Sequence, residues 1–155
     1  MAHAAGAKGK IARVVEPAFL AETEIYDFQR MGIDLVINQK QECAREVFNM
    51  LLMPGAHEVF DLFDGKVIVA GCRVTAISPL LDRTPAECNR LDLMQEVRAI
   101  AIRRGDELVV PRGNTIFEQE DLVYIVGTRE QVSDFFTWVS PDIKPFERVV
   151  IGGGG

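Results

Sequence analysis

Apolar and polar positions change rhythm several times along the first fifty residues of the chain. Lys10-Ile-Ala-Arg-Val-Val15 is short and rich in β-branched residues, which predicts a strand. It is preceded by a small-residue segment, Ala2 to Gly6, that reads as the last turns of a helix closed by Gly6. Pro17 opens a second helix to about Arg30, and Gly32 ends it. Asp34-Leu-Val-Ile37 is an almost wholly apolar run, as expected of a parallel strand covered on both faces. Asn38 is placed to cap the next helix, with Gln41 three residues on. Within that helix Ala44, Val47, Phe48, Leu51 and Leu52 recur at the helical period as a stripe expected to be buried, and Pro54-Gly55 stops it.

Helix, strand, helix, strand, helix is the order of an α/β fold with a parallel sheet. Two strands are too few for a doubly wound sheet, and the Gly-x-Gly-x-x-Gly turn that begins one is missing before Lys10. Residues 1–53 therefore read as the second half of such a domain.

From His57 the pattern becomes that of a small α+β unit over residues 57–139. Glu58–Phe63 and Lys66–Val74 are β-rich arms around Asp64-Gly65, a hairpin signal. Thr84-Pro85-Ala86-Glu87 combines a capping Thr, a proline at the first helical position and a Glu three residues after the cap, predicting a helix to about Met94. Strands fit Val97–Arg103, Leu108–Val110 and Asp121–Val126, separated by turn-forming clusters, and the last is apolar enough to be central. A final helix begins at Thr128, with Gln131 in the capping-box position and Val132, Phe135, Phe136 and Val139 on one face. Pro141 and Pro145 mark a linker, and Arg148–Ile151 reads as a strand that leads into Gly152–Gly155.

Composition narrows the classes. The 155 residues are 48% hydrophobic and 26% charged, which suits a globular chain. The net charge of −6 disfavours nucleic-acid binding, which needs clustered Lys and Arg. No apolar run approaches the roughly 20 residues that span a bilayer, so no direct membrane insertion is expected. The first residues lack a signal-peptide pattern, and export is not expected. Cys43, Cys72 and Cys88 are odd in number and widely spaced, with only His3 and His57 beside them. They are expected to be buried structural thiols, and no metal site is expected.

Several segments, taken in order, resemble the TrkA-type regulators of bacterial potassium uptake. They are Lys10-Ile-Ala-Arg-Val-Val15 with Glu16-Pro17, Met31-Gly-Ile-Asp-Leu-Val-Ile37, Leu52-Met-Pro-Gly-Ala56 and Ala76-Ile-Ser-Pro-Leu80. Ala99-Ile-Ala-Ile-Arg103, Val110-Pro-Arg-Gly-Asn-Thr-Ile116 and Glu120-Asp-Leu-Val-Tyr-Ile-Val-Gly127 complete the set. Chains of that family alternate a Rossmann-like nucleotide-binding domain (RCK_N, or KTN) with a small α+β C-terminal domain (TrkA_C, or RCK_C). The resemblance implies that residues 1–53 are the C-terminal part of an RCK_N domain and 57–139 a TrkA_C domain. Residues 140–155 would be a linker and the first strand of a second Rossmann domain.

The resemblance further implies a cytoplasmic regulatory subunit, peripheral on the inner membrane. Its partner would be an integral-membrane potassium-translocating subunit of the TrkH/TrkG type, and it would form a homodimer or tetramer. NAD(H) or an adenine nucleotide would bind the full-length parent but not these residues alone. Arg13 resembles the basic position that faces nucleotide in relatives, and reads equally as a solvated Arg. Relatives carry Pro-Glu where this chain has Gln39-Lys40, and a lysine cannot hold a metal there. Small effectors in related regulators bind near a strand carrying Arg and the Pro loop after it, to which Ile102, Arg103, Pro111, Arg112 and Asn114 correspond. Ordinary turn chemistry also accounts for most of these. Glu118, Glu120 and Asp121 read either as a cation site or as a solvated edge. No catalytic constellation is found, so no enzymatic activity is expected. Two alternatives remain open: a piece of an NAD-dependent oxidoreductase, or the regulatory domain of another ion or anion transporter.

Overall fold

In the computed structural model the described residues are 6–15, 28–92, 94, 96–140, 142–144, 146–150 and 152. They divide into two compact units, Met1–Val47 and Phe48–Gly155.

The first unit holds a parallel pair, β1 (Ile11–Arg13) and β2 (Leu35–Ile37), with Ala12 opposite Val36. Asp34 sets this register: its carboxylate accepts from Lys10 N at 2.7 Å while its own N donates to Lys10 O at 2.9 Å. Gly32 adopts φ 72°, and its N–H and that of Ile33 turn back to Gln29 O and Phe28 O, the reversal expected of a helix-terminating glycine. Most of the helix expected from Pro17 to Arg30, and the small-residue segment Ala2 to Ala5, lie outside the described residues.

Helix α1 (Gln39–Leu52) starts where the cap was expected, Asn38 Oδ1 accepting from Gln41 N at 3.0 Å. Its apolar stripe does not behave as expected. Ala44, Val47, Phe48 and Leu52 are exposed, Phe48 by 58%, and Asn49 is the helix's buried residue. Periodicity fixes which positions share a face but supplies nothing to cover it.

Among its described residues the second unit has a five-stranded, wholly antiparallel sheet, its strands side by side in the order Glu58–Leu62, Val67–Arg73, Leu122–Gly127, Arg98–Arg104 and Glu107–Val109, with two further helices. Its strands are β3 (Glu58–Leu62), β4 (Val67–Arg73), β5 (Arg98–Arg104), β6 (Glu107–Val109) and β7 (Leu122–Gly127). Strand β7 is central, as its composition led us to expect. The hairpin between β3 and β4 turns through four residues, Phe63–Lys66, rather than through Asp64-Gly65 alone. Phe63, Asp64 and Gly65 all have positive φ, and Asp61 Oδ1 accepts from Gly65 N at 2.6 Å.

Helix α2 (Pro85–Arg90) carries the anticipated capping box at Thr84 and Glu87 but stops four residues short of Met94. Leu91 caps it, and Asp92 in the left-handed region (φ 59°) breaks the helical path. Helix α3 (Arg129–Val139) starts from Thr128 and buries Val132, Phe135, Phe136 and Val139, the face read from the sequence.

Alternation along the strands separates the two sheet faces. Ile68, Ala70 and Cys72 of β4, Val123 and Ile125 of β7, and Ile102 of β5 join α3, Leu80, Cys88 and Phe117 in one core. The other face carries Glu58, Phe60, Arg73, Tyr124, Arg103 and Leu108, of which Phe60 and Leu108 are exposed by 49% and 70%. Gly55 (φ 92°) packs so closely on Ser140 that a side chain would meet its Oγ at 3.2 Å, which fixes a glycine at the turn after Pro54. Arg148, Val149 and Val150, the described part of the strand expected over Arg148–Ile151, are in no strand, and Ile151 lies outside the described residues.

Candidate functional site

Of the five residues matched to effector binding, the sheet separates two at once. Ile102 is wholly buried beneath the helices, whereas the next residue, Arg103, points to the opposite face. Pro111, Arg112 and Asn114 lie in the loop after β6. That loop is a tight turn, with Arg112 N donating to Thr115 Oγ1 at 2.8 Å and Thr115 N to Arg112 O at 3.0 Å. It is tied to the segment leading into α2 through Ala86 N to Gly113 O and Phe117 N to Arg83 O, so it is anchored by backbone rather than open. Of the five, Arg103 is the one that lines a described cleft.

Arg103 does line a cleft of about 500 Å³ on the outer sheet face, together with Arg73, Gly105, Asp106, Glu120 and Leu122. Leu122 of the central strand is paired with Arg73 on one side and Arg103 on the other, so the two guanidinium groups flank it. Each holds one carboxylate: Arg73 with Glu120 at 3.4 Å and Arg103 with Glu58 at 3.2 Å. Glu58 also accepts from the Tyr124 hydroxyl at 2.8 Å. Burial, then this hydrogen bond, pushes the Tyr124 phenol above its ordinary pKa. Both arginines remain partly exposed, and such surface ion pairs are weak enough to exchange partners with an anionic ligand. Arg73 was not singled out in the sequence, although a charge ending an otherwise apolar strand is a visible signal.

Glu118, Glu120 and Asp121, read either as a cation site or as a solvated edge, each face an arginine. Asp121 has no solvent exposure and is held by Arg104, Glu118 is also paired with Arg104, and Glu120 faces Arg73. Three carboxylates spent on arginines leave no converging oxygens for a hard cation, and among the described residues no His, Cys, Asp and Glu group is arranged to hold a metal. The thiols divide: Cys72 and Cys88 are buried, but Cys43 on α1 is exposed. Burial pushes Cys72 up to about 12 and also raises Cys88.

In the first unit, Arg13 ends β1 and is exposed, with no ion pair among the described residues. The carboxyl ends of parallel strands are where open α/β sheets bind ligands. Asn38 lies just past the end of β2, and its Nδ2 is buried without a partner among the described residues. Gln39 and Lys40 are exposed at the start of α1.

Residues 69–140 match the TrkA-C domain family. The match covers just under half of the chain and marks a likeness to TrkA-C domains. The likeness to TrkA-type proteins extends well beyond it. The Trk system potassium uptake protein TrkA of Halomonas elongata is 27% identical over 146 residues, 94% of this chain and 32% of that protein. A TrkA homolog of Archaeoglobus fulgidus is 31% identical over 150 residues, 97% of this chain and 33% of that protein. The chain thus spans about a third of the length of these relatives. Among solved structures, the GsuK RCK domain aligns with 90% of this chain and 28% of its own, at 18% identity and TM-score 0.49. The matched stretch holds most of β4, all of β5, β6 and β7, and both α2 and α3, while β3 lies before it, and no described helix is long and apolar enough to cross a membrane.

Proposed function

We propose that the chain is part of a cytoplasmic regulatory subunit of a Trk-type potassium uptake system, acting on a membrane-embedded translocator of the TrkH/TrkG type. The observation that carries this reading is the continuous likeness to TrkA proteins over 94% of the chain, with the match to TrkA-C domains inside it. In this reading residues 1–53 are the tail of a nucleotide-binding domain, 57–139 the C-terminal domain, and 140–155 the approach to a second nucleotide-binding domain. NAD(H) or an adenine nucleotide binds the full-length parent, and Arg13, at the carboxyl end of β1, is offered to its phosphates. The module works by shifting populations between arrangements of subunits, which requires differential affinity rather than catalysis.

An anionic effector on the TrkA-C domain would use Arg103, and the outer-face cleft adds Arg73 to it. Ile102 contributes only by packing beneath, and Pro111, Arg112 and Asn114 would join through a second copy. Self-association is supported by the exposed apolar residues Phe60, Leu62 and Leu108 on the sheet face and by the uncovered stripe of α1.

The decisive experiment is calorimetric titration of the full-length parent with NADH, NAD and ATP, alongside copurification with the membrane subunit. Tight binding without turnover and retention of the membrane subunit are expected. Turnover of the nicotinamide cofactor with a small substrate would replace this reading by that of an oxidoreductase.

A further inference from the structure

A second cleft, of about 400 Å³, opens between α3 and the segment after α2. Its floor is apolar: Met94, Val97 and Phe135 are buried, and the partly exposed Trp138 forms a wall, its ring 6.1 Å from that of Phe135. Its rim is acidic, with Asp92 and Glu96 from one side and Asp134 from the helix. Glu96 and Asp134 are exposed, and neither takes part in an ion pair among the described residues. These carboxylates are spread around an aromatic wall rather than gathered on a point, since no metal-holding group forms among the described residues.

Dispersed negative charge over an indole and an apolar floor matches a flat, delocalised cation on an apolar stem. A guanidinium stacks on an indole face more readily than an ammonium and tolerates partial desolvation. The methylenes of its stem cover apolar surface while the head meets the rim. A point cation such as potassium would gain nothing from the floor.

We propose that this cleft docks an arginine side chain of a basic peptide segment, namely a cytoplasmic loop of the membrane partner. Charge favours the match: the chain carries a net −6, and cytoplasmic loops of membrane proteins carry an excess of Lys and Arg. The identity of the loop rests on the reading under Proposed function; recognition of the arginine peptide does not.

Trp138 is the only tryptophan in the chain, so its emission reports occupancy directly. The 155-residue chain is titrated with a capped triarginine peptide, with capped trilysine and free arginine amide as comparisons. A saturable change in Trp138 emission is expected with triarginine. It should weaken about tenfold in the Glu96→Gln/Asp134→Asn double variant, whose fold is checked by thermal melting, and fade at high salt. Absence of a saturable change, equal affinity in the double variant, or equal affinity for trilysine overturns the proposal. Free arginine amide binding as tightly as the peptide also overturns it, in favour of a small-cation site. None of these outcomes depends on potassium transport. If the peptide binds but the double variant of the full-length parent retains the membrane subunit undiminished, the assignment to a partner loop falls while the transport reading stands.

Discussion

Arg104 and Asp121 meet through two parallel hydrogen bonds, Nε to Oδ1 and Nη2 to Oδ2, each 2.8 Å long, and the carboxylate between them has no contact with solvent. The same guanidinium reaches Ile116 O at 2.9 Å and pairs with Glu118, while Glu118 N donates to Asp121 Oδ2 at 2.8 Å. One arginine at the end of β5 thus fastens the loop that delivers the chain into β7. The Asp121 hydrogen bond pushes the guanidinium above its already high ordinary pKa, so Arg104 stays charged wherever the fold persists.

Removing one partner of such a pair leaves the other uncompensated. Asp121→Ala should destabilise the chain by about 2–4 kcal/mol, discounted because Arg104 is a third exposed. Asp121→Asn, which keeps shape and one acceptor, should cost less. Urea denaturation of the three proteins checks the order, and an Asp121→Ala midpoint equal to that of the parent sequence would contradict it.

Helices α2 and α3 each begin with a reciprocal box, Thr84 with Glu87 and Thr128 with Gln131. Thr84→Ala and Thr128→Ala should each cost about 1 kcal/mol. Glu87 is held below the ordinary carboxylate range, first by the backbone and then by the side chain of Thr84. A depressed acid adds stability above its unfolded pKa and loses it as pH falls through the folded value. Denaturation midpoints followed downward from neutral pH should therefore fall less for Glu87→Gln than for the unaltered chain.

Tyr124 has the opposite sign. Its raised pKa means that the folded state holds the phenol proton more tightly, so its contribution is complete below the ordinary phenol pKa and is lost as pH rises through the folded value. Phenolate absorbance should show a late step that Tyr124→Phe removes, and the variant should lose less stability than the parent sequence in alkaline solution.

Thiol accessibility should split the cysteines. A maleimide at neutral pH should modify Cys43 rapidly and leave Cys72 and Cys88 untouched until denaturant is added, since burial withholds both access and the thiolate. Mass mapping of the modified peptides reads this directly, and labelling of Cys72 in the native chain would count against the sheet packing.

How far the sequence carried the fold can be seen element by element. Thr84, Thr128 and the α3 stripe were legible because a cap and a helical period are local features, complete within a few residues. Strand β7 announced its central place by being apolar on both faces. The end of α2 was not legible, because Asp92 adopts a left-handed conformation that aspartate tolerates but does not advertise. The stripe of α1 was legible as a face but not as buried, since covering it depends on a surface that its own residues do not encode. At the candidate site, Arg103 was marked by its resemblance to relatives. Its neighbour Arg73 lies thirty residues away in the chain and becomes adjacent only through the pairing of both strands with Leu122. The acidic cleft at Trp138 likewise joins helix α3 to a segment after α2 whose sequence looks like an ordinary solvated turn.

Placing β7 in the middle has an effect on when this domain can exist. The hairpins β3–β4 and β5–β6 are each made from neighbouring sequence and can form early, but they have no edge in common until the strand running to Gly127 arrives to bridge them. A ribosome that pauses before that point would hold two unjoined ribbons with open edges, a state prone to association with other chains. Assembly is thus gated by the completion of one late segment, and a truncation there would remove the keystone rather than trim the rim.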